Sequence, residues 1–352
     1  MATHLALGIM SGSSLDGLDM AFCEFTEKQN CWTYRIVVAE TLPYPEEWKM
    51  ILQESYYSDG KKLAENDVAY GKYLGGKASN FLKKYHLKPD IVALHGHTVF
   101  HQPEKGFSLQ LGNGQAVAIA SGIETVSDFR NKDILLGGQG APLVPIGDKL
   151  LFAEYGYCVN IGGIANISFE EKGERLGYDV CAANQLLNHL SRQMGKPYDK
   201  NGETALLGKL DKSLFDELNS IEFYQQLYPK SLSNEQVRET FLPILDSSPA
   251  SLEDKLYTVV KHIAFQTAKA TDSSSGKKML LTGGGAHNSF LVEAIRRECP
   301  QSVYLPDIQI IDFKEALIFA FMGILRKVGR INCQASVTGA EQDSSGGVIY
   351  LP

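Results

Sequence analysis

Serine, glycine and aspartate crowd the end of the first apolar run in this chain. Residues 6–10 read as a buried strand, and Ser11, Gly12, Ser13, Ser14, Leu15, Asp16, Gly17, Leu18 and Asp19 follow directly. Small residues at a strand end let the backbone approach an anion and aim N–H groups at it. Asp16 and Asp19 add carboxylates of the kind that hold Mg²⁺ through its water shell. Further glycine turns end strand-like runs at 137–140, at Gly162 and Gly163, and at Gly283, Gly284 and Gly285. Each alone reads as an ordinary turn, but several in one chain point to a nucleotide. The sequence has no G-x-x-x-x-G-K-[ST], and no G-x-G-x-x-G after the first strand, so a P-loop and a dinucleotide fold are set aside. What remains is a hairpin loop able to wrap β- and γ-phosphates.

Other polar residues carry two readings each. Asp179 stands at a strand end after Gly177-Tyr178, as a general base or as a cap for the next segment. His95, His97 and His101 invite a metal, but no carboxylate stands among them, which favours hydrogen bonding. Arg130 offers a planar fork to an anionic ligand, or a salt bridge to Asp128 or Asp133. Asp312-x-x-Glu315 opens an amphipathic stretch and reads as a capping box. Asn166 lines a site or closes its turn.

The elements that must position these residues follow one plan twice. Runs at 6–10, 18–25 and 34–42 form a meander, followed by helices at 46–57 and 64–85 and a strand at 91–94. Strands at 157–161, 164–170 and 175–180 then lead into a helix at 184–194, stopped by Gly195 and Pro197. Later come helices at 256–270, 288–298 and 314–327 around a strand at 279–281. Strand and helix alternate, so the class is α/β.

Composition narrows the function. The 352 residues suit two or three domains. Hydrophobic residues are 44% and charged residues 21%, an ordinary globular mix that needs no disulfide or metal to hold a core. Net charge is −7 with Lys and Arg scattered, which argues against nucleic acid and a polybasic membrane anchor. The longest uncharged apolar run, residues 316–325, falls short of the ~20 that a membrane span needs. The N-terminus lacks the basic region of a signal peptide, and none of the six cysteines forms C-x-x-C. A reduced cytoplasmic protein is expected.

The motifs together resemble one family. Residues 8–19, the run Asp128-Phe129-Arg130-Asn131-x-Asp133 continuing through 137–145, Asn160-Ile161-Gly162-Gly163-Ile164-Ala165-Asn166, Gly283-Gly284-Gly285-x-x-Asn288 and Val337-Thr338-Gly339-Ala340 are similar to those of anhydro-N-acetylmuramic acid kinases, in the same order along the whole chain. The resemblance implies two RNase H-like lobes of the actin, chaperone and sugar-kinase superfamily with a cleft between them. The first lobe would be residues 1–128, with 334–352 returning to it, and the second 129–333. ATP would meet residues 11–19 from one lobe and Gly162, Gly163 and Asn166 from the other, with Gly283, Gly284 and Gly285 near the nucleoside. Mg²⁺ would be held by Asp16 and Asp19 through water.

The family reaction opens 1,6-anhydro-N-acetylmuramic acid with water and phosphorylates O6, giving N-acetylmuramic acid 6-phosphate and ADP in peptidoglycan recycling. Asp179 takes the place of the family's base. His97, Arg130 and Glu315 fall where the sugar binds, with Arg130 facing its lactyl carboxylate or a phosphate. A homodimer is expected. The chain departs from the family's Asp-Thr-Gly-Pro-Gly-Asn at Asp179-Val180-Cys181-Ala182-Ala183-Asn184, and carries Asn188 where Asp is usual. A kinase for another sugar and a nucleotide-binding module without catalysis are the competing readings.

Overall fold

The computed structural model describes residues 2–352 apart from Ser13, Ser14, Asp16, Asn30, Pro229 and residues 272–275. The phosphate-loop expectations on Ser13, Ser14 and Asp16 therefore lie outside the described residues.

The chain opens with β1 (Ala2–Ser11), β2 (Leu18–Lys28) and β3 (Cys31–Leu42), then α1 (Glu46–Glu54) and α2 (Gly60–Lys84). Strands β4 (Ile91–Leu94), β5 (His97–Gln102) and β6 (Phe107–Leu111) precede α3 (Gly114–Ser121), β7 (Thr125–Ser127), α4 (Asn131–Leu135) and α5 (Pro145–Leu151). The middle holds β8 (Tyr157–Ile161), β9 (Ile164–Glu171), β10 (Glu174–Ala182), α6 (Asn184–Gln193), α7 (Lys212–Asn219), α8 (Asn234–Gln236), α9 (Leu242–Ser247) and α10 (Leu252–Lys269). Then come β11 (Met279–Thr282), α11 (Ser289–Glu298), β12 (Val303–Tyr304), α12 (Ile308–Lys327), α13 (Ala335–Thr338) and β13 (Val348–Tyr350).

These elements form two compact units, Met1–Leu151 with Phe313–Pro352, and Phe152–Asp312. In the first, the sheet order is β13-β7-β4-β1-β2-β3. Strands β1, β2 and β3 run antiparallel, while β4 lies parallel to β1 and β7 parallel to β4. Strands β5 and β6 form a separate hairpin. Helix α2 starts on Asp59, whose carboxylate accepts from the Lys62 N–H, and buries Tyr70, Leu74, Ala78 and Phe81 at helical spacing. Its core partners include Leu7, Ile9, Val92 and Leu94. Helix α12 packs against β1, where a side chain on Gly8 would collide with the Ala316 carbonyl. It is tied to α5 by a buried ion pair, Lys314 Nζ to Asp148 Oδ1 at 2.7 Å.

In the second unit the order is β10-β9-β8-β11-β12. Here β8, β9 and β10 are antiparallel, and β11 and β12 continue parallel to β8. Both main sheets thus place their strands third, second, first, fourth, fifth. Helices α6, α10 and α11 cover the second sheet through Leu186, Leu190, Val259, Ile263, Leu291 and Ile295.

The unit boundary corrects the expected division at 128/129 and 333/334. Residues 129–151 and 313–333 belong to the first unit, because α5 and most of α12 pack on its sheet and on each other. The C-terminal residues 334–352 also lie there, with β13 pairing antiparallel to β7.

Candidate active site

Ser11 ends β1 and is buried. Its Oγ accepts a hydrogen bond from Tyr44 Oη at 2.8 Å, and that hydroxyl lies 2.6 Å from Tyr70 Oη. His97 Nδ1 is 3.5 Å from the same Oγ. Burial lowers the His97 pKa to about 4, so the ring is neutral at physiological pH. Gly12 accepts from the Leu15 N–H at 3.4 Å, and Leu15 takes a left-handed φ of 55°. Gly17 and Leu18 are buried where β2 begins, with Leu18 opposite Ser11. Asp19 is half-buried one step on, its Oδ1 accepting from Thr41 Oγ1 of β3 at 2.6 Å.

Arg130 lies in the same unit. Its Nε and Nη2 donate to His95 Nε2 at 3.1 and 2.7 Å, and its Nη1 donates to the Gly140 carbonyl at 2.6 Å. His95 Nδ1 is 2.9 Å from the Gly96 carbonyl, which only a protonated Nδ1 can satisfy. Burial, then the Arg130 charge, holds the His95 pKa well below its ordinary value. The imidazole is neutral, donating from one nitrogen and accepting at the other. Burial lowers the Arg130 pKa to about 10, against the nearby carboxylate of Glu315, so the guanidinium keeps its charge. Among the described residues Arg130 forms no ion pair with Asp128 or Asp133. Asp128 accepts from Asn131 Nδ2, and Asp133 from the Gly140 N–H, Thr338 Oγ1 and Cys333 Sγ. Asp133 is thus the buried post around which residues 137–140 turn.

Glu315 is half-buried on α12. Burial raises its pKa; Lys314 opposes the rise, Asp19 adds to it and Arg130 opposes it. The expected capping box is not formed. The helix begins at Ile308, and Asp307 caps it through Oδ1, 3.1 Å from the Ile310 N–H. Asp312 is interior to the helix and meets His287 Nε2 at 2.6 Å instead. Pro306-Asp307 is the start signal, and the competing Asp-x-x-Glu pattern hid it.

The second unit builds a polar row across three strands. Asn160 of β8 faces Asn166 of β9, and Asn166 faces Asp179 of β10. Directly opposed residues in antiparallel strands project to one face. Their neighbours Val159, Ile161, Ala165, Ile167 and Val180 enter the core on the other face. Asn166 is therefore a member of the row, and Asn160 is one the sequence did not single out.

Asp179 Oδ2 accepts from the Leu232 N–H at 2.9 Å and from Ser231 Oγ at 3.1 Å. No hydrogen bond to its Oδ1 occurs among the described residues. Burial raises the Asp179 pKa, and these two hydrogen bonds oppose the rise. The carboxylate does not cap α6, whose N-cap is Ala183. A bulge between Asp179 and Cys181 sends Val180, Cys181, Ala182 and Ala183 all into the core. The departure from the family pattern is thus absorbed by packing. The segment still closes on the glycine turn, with Ala183 N–H donating to Gly163 O and Asn184 N–H to Gly162 O.

The glycines divide by role. A Cβ on Gly283 would stand 2.5 Å from Asn160 Oδ1, and one on Gly285 would strike the Ile161 side chain. Both are small so that the turn after β11 can close on the end of β8. Gly284 is different: its nearest neighbour would be Asn184 Nδ2 at 3.7 Å. It leaves an open face beside the Gly162–Gly163 turn. Among the described residues, no group of three or more ligating side chains is placed to hold a metal, and His101 hydrogen-bonds Ser108.

Two sheets of one 3-2-1-4-5 order, each with a small-residue turn beside polar groups, give the chain a doubled RNase H-like plan. The family model for anhydro-N-acetylmuramic acid kinase matches residues 4–352. The anhydro-N-acetylmuramic acid kinase of Mannheimia succiniciproducens is 36% identical over 99% of this chain and all of that one. That of Actinobacillus pleuropneumoniae serotype 7 is 33% identical with the same coverage. Component A of (R)-2-hydroxyglutaryl-CoA dehydratase from Acidaminococcus fermentans, a solved structure, is 12% identical with a TM-score of 0.47, covering 92% of this chain and 99% of that one. The chain belongs to the anhydro-N-acetylmuramic acid kinase family. It is a kinase of amino-sugar metabolism that uses ATP.

Proposed function

We propose that this kinase opens 1,6-anhydro-N-acetylmuramic acid with water and phosphorylates O6, releasing N-acetylmuramic acid 6-phosphate and ADP. The carrying observation is the Asp179 carboxylate, one oxygen fixed by Leu232 and Ser231 and its pKa raised by burial. A base held in one orientation, with a pKa moved toward neutrality, suits proton removal from water. The water oxygen bonds to the anomeric carbon as its proton passes to Asp179 Oδ1. The C1–O6 bond breaks with its electron pair on O6. O6 then bonds to the γ-phosphorus, the bond to the β-phosphate oxygen breaks, and ADP leaves.

On this reading Ser11, Gly12, Leu15, Gly17 and Leu18 meet the phosphates, as do Gly162, Gly163 and Asn166, and Gly284 leaves room for the nucleoside. His97, Arg130 and Glu315 bind the sugar, with Arg130 on its lactyl carboxylate.

The residues fit Mg²⁺. Asp19 raises the pKa of Glu315, so two carboxylates share a space where a cation would relieve repulsion. With no third ligating side chain among the described residues, waters would complete the shell, as this ion prefers. When bound, it neutralises charge on the β- and γ-phosphates. Asp19 and Thr41 would orient that shell.

ADP release measured with the anhydro sugar, with product analysis for a 6-phosphate, tests the reading. Sugar-dependent ADP release and a 6-phosphate product support it. Release that ignores the sugar contradicts it.

A further inference from the structure

We infer that His95 is a positioning residue that aims Arg130 at the substrate's lactyl carboxylate while leaving the guanidinium charge uncancelled. The inference rests on the sugar reading above. An arginine that must meet a ligand anion needs a fixed direction and its full charge. A protein carboxylate would supply the first and remove the second. A neutral imidazole supplies the first alone.

The geometry meets that demand at each contact. His95 Nε2 takes both Nε–H and an Nη2–H of Arg130, at 3.1 and 2.7 Å, and the Gly140 carbonyl takes an Nη1–H at 2.6 Å. A guanidinium has five N–H donors. Among the described residues these three bonds leave one donor on each terminal nitrogen, the two nitrogens whose N–H groups a carboxylate can take together.

Both anchors are themselves fixed. His95 is held through Nδ1 by the Gly96 carbonyl at 2.9 Å, and its ring lies against Phe319 with centroids 4.9 Å apart. Gly140 is held by Asp133 through its N–H at 2.8 Å. The two acidic neighbours in sequence, Asp128 and Asp133, are occupied by Asn131, Gly140, Thr338 and Cys333. Glu315 feels the Arg130 charge without forming an ion pair to it among the described residues.

The test compares His95→Ala, His95→Gln and His95→Glu in the full-length enzyme. Two sugars serve as probes: 1,6-anhydro-N-acetylmuramic acid, and the same anhydro sugar without its lactyl arm. His95→Ala raises KM for the first by about ten- to hundredfold, the scale of a lost charged hydrogen bond. It leaves KM for the second sugar and for ATP within about twofold. His95→Gln, whose amide oxygen is a neutral acceptor, restores most of the loss. His95→Glu does not, because its carboxylate cancels the charge.

An equal KM rise for both sugars in His95→Ala, or no recovery in a folded His95→Gln, overturns the inference and leaves the proposed reaction standing. If His95→Glu does not fold, as shown by thermal unfolding, the Ala and Gln pair decides. Absence of sugar turnover by the wild-type enzyme overturns both the reaction and this inference.

Discussion

Among the described residues Asp179 accepts hydrogen bonds on one oxygen only, an asymmetry that suits its proposed role as a base. Asp179→Asn keeps the hydrogen-bonding shape and loses the proton acceptor. Its kcat is expected to fall by about 10²–10⁴-fold with ATP affinity unchanged, read by steady-state kinetics beside calorimetry. The pH dependence has a definite sign. Burial raises the Asp179 pKa, and the Ser231 hydroxyl and Leu232 N–H pull it back. On the proposed mechanism activity needs the ionised form, so kcat/KM is expected to fall as pH drops through that raised pKa. Ser231→Ala removes one stabiliser of the carboxylate and moves the acid limb to higher pH. A limb that moves to lower pH, or stays put, would show that Asp179 is not the titrating group.

Helix α12 carries Glu315 within electrostatic reach of Asp19 and Arg130, and its seat depends on two features of the first unit. Gly8 lets the helix backbone lie against β1, and Lys314 pairs with Asp148 of α5 with both side chains 5% exposed. Gly8→Ala forces the Ala316 carbonyl away and is expected to cost about 1–3 kcal/mol of stability, together with a raised sugar KM. Asp148→Ala removes a buried carboxylate partner of the Lys314 ammonium and is expected to cost about 3–5 kcal/mol in denaturant unfolding. A change under about 0.5 kcal/mol would mean the helix is held elsewhere.

At this scale the sequence was partly legible. The apolar spacing of 316–325 announced the helix, and its C-terminal end at Lys327 was read as found. Its start was expected at Lys314 and lies at Ile308, because Asp312-x-x-Glu315 imitates a cap that Asp307 supplies. The polar row Asn160–Asn166–Asp179 was only partly visible, since strand register is set by pairing across the sheet and not by spacing along one strand. The His95–Arg130 contact spans 35 residues, and no local pattern encodes it.

The whole chain repeats one sheet plan, and the order of glycine turns along the sequence foreshadowed it. Each main sheet starts with a three-stranded meander and continues with parallel strands, so a small-residue turn recurs at the end of the first strand of each copy. Those turns, at Gly12 and at Gly162, carry the proposed phosphate contacts. The first division between units was expected too early in the sequence and the second too late, because α5 and most of α12 return to the first sheet by long-range packing.

A net charge of −7 is compatible with anionic substrates when backbone N–H groups and one uncancelled guanidinium do the binding. The central claim is that water opens the sugar bridge and O6 takes the phosphoryl group in one reaction. Turnover in ¹⁸O-water, quenched rapidly and read by mass spectrometry, tests it most directly. The account predicts one label on the sugar part of the 6-phosphate product and none on its phosphoryl group. Label on phosphate, or a phosphorylated sugar with its bridge intact, would contradict it.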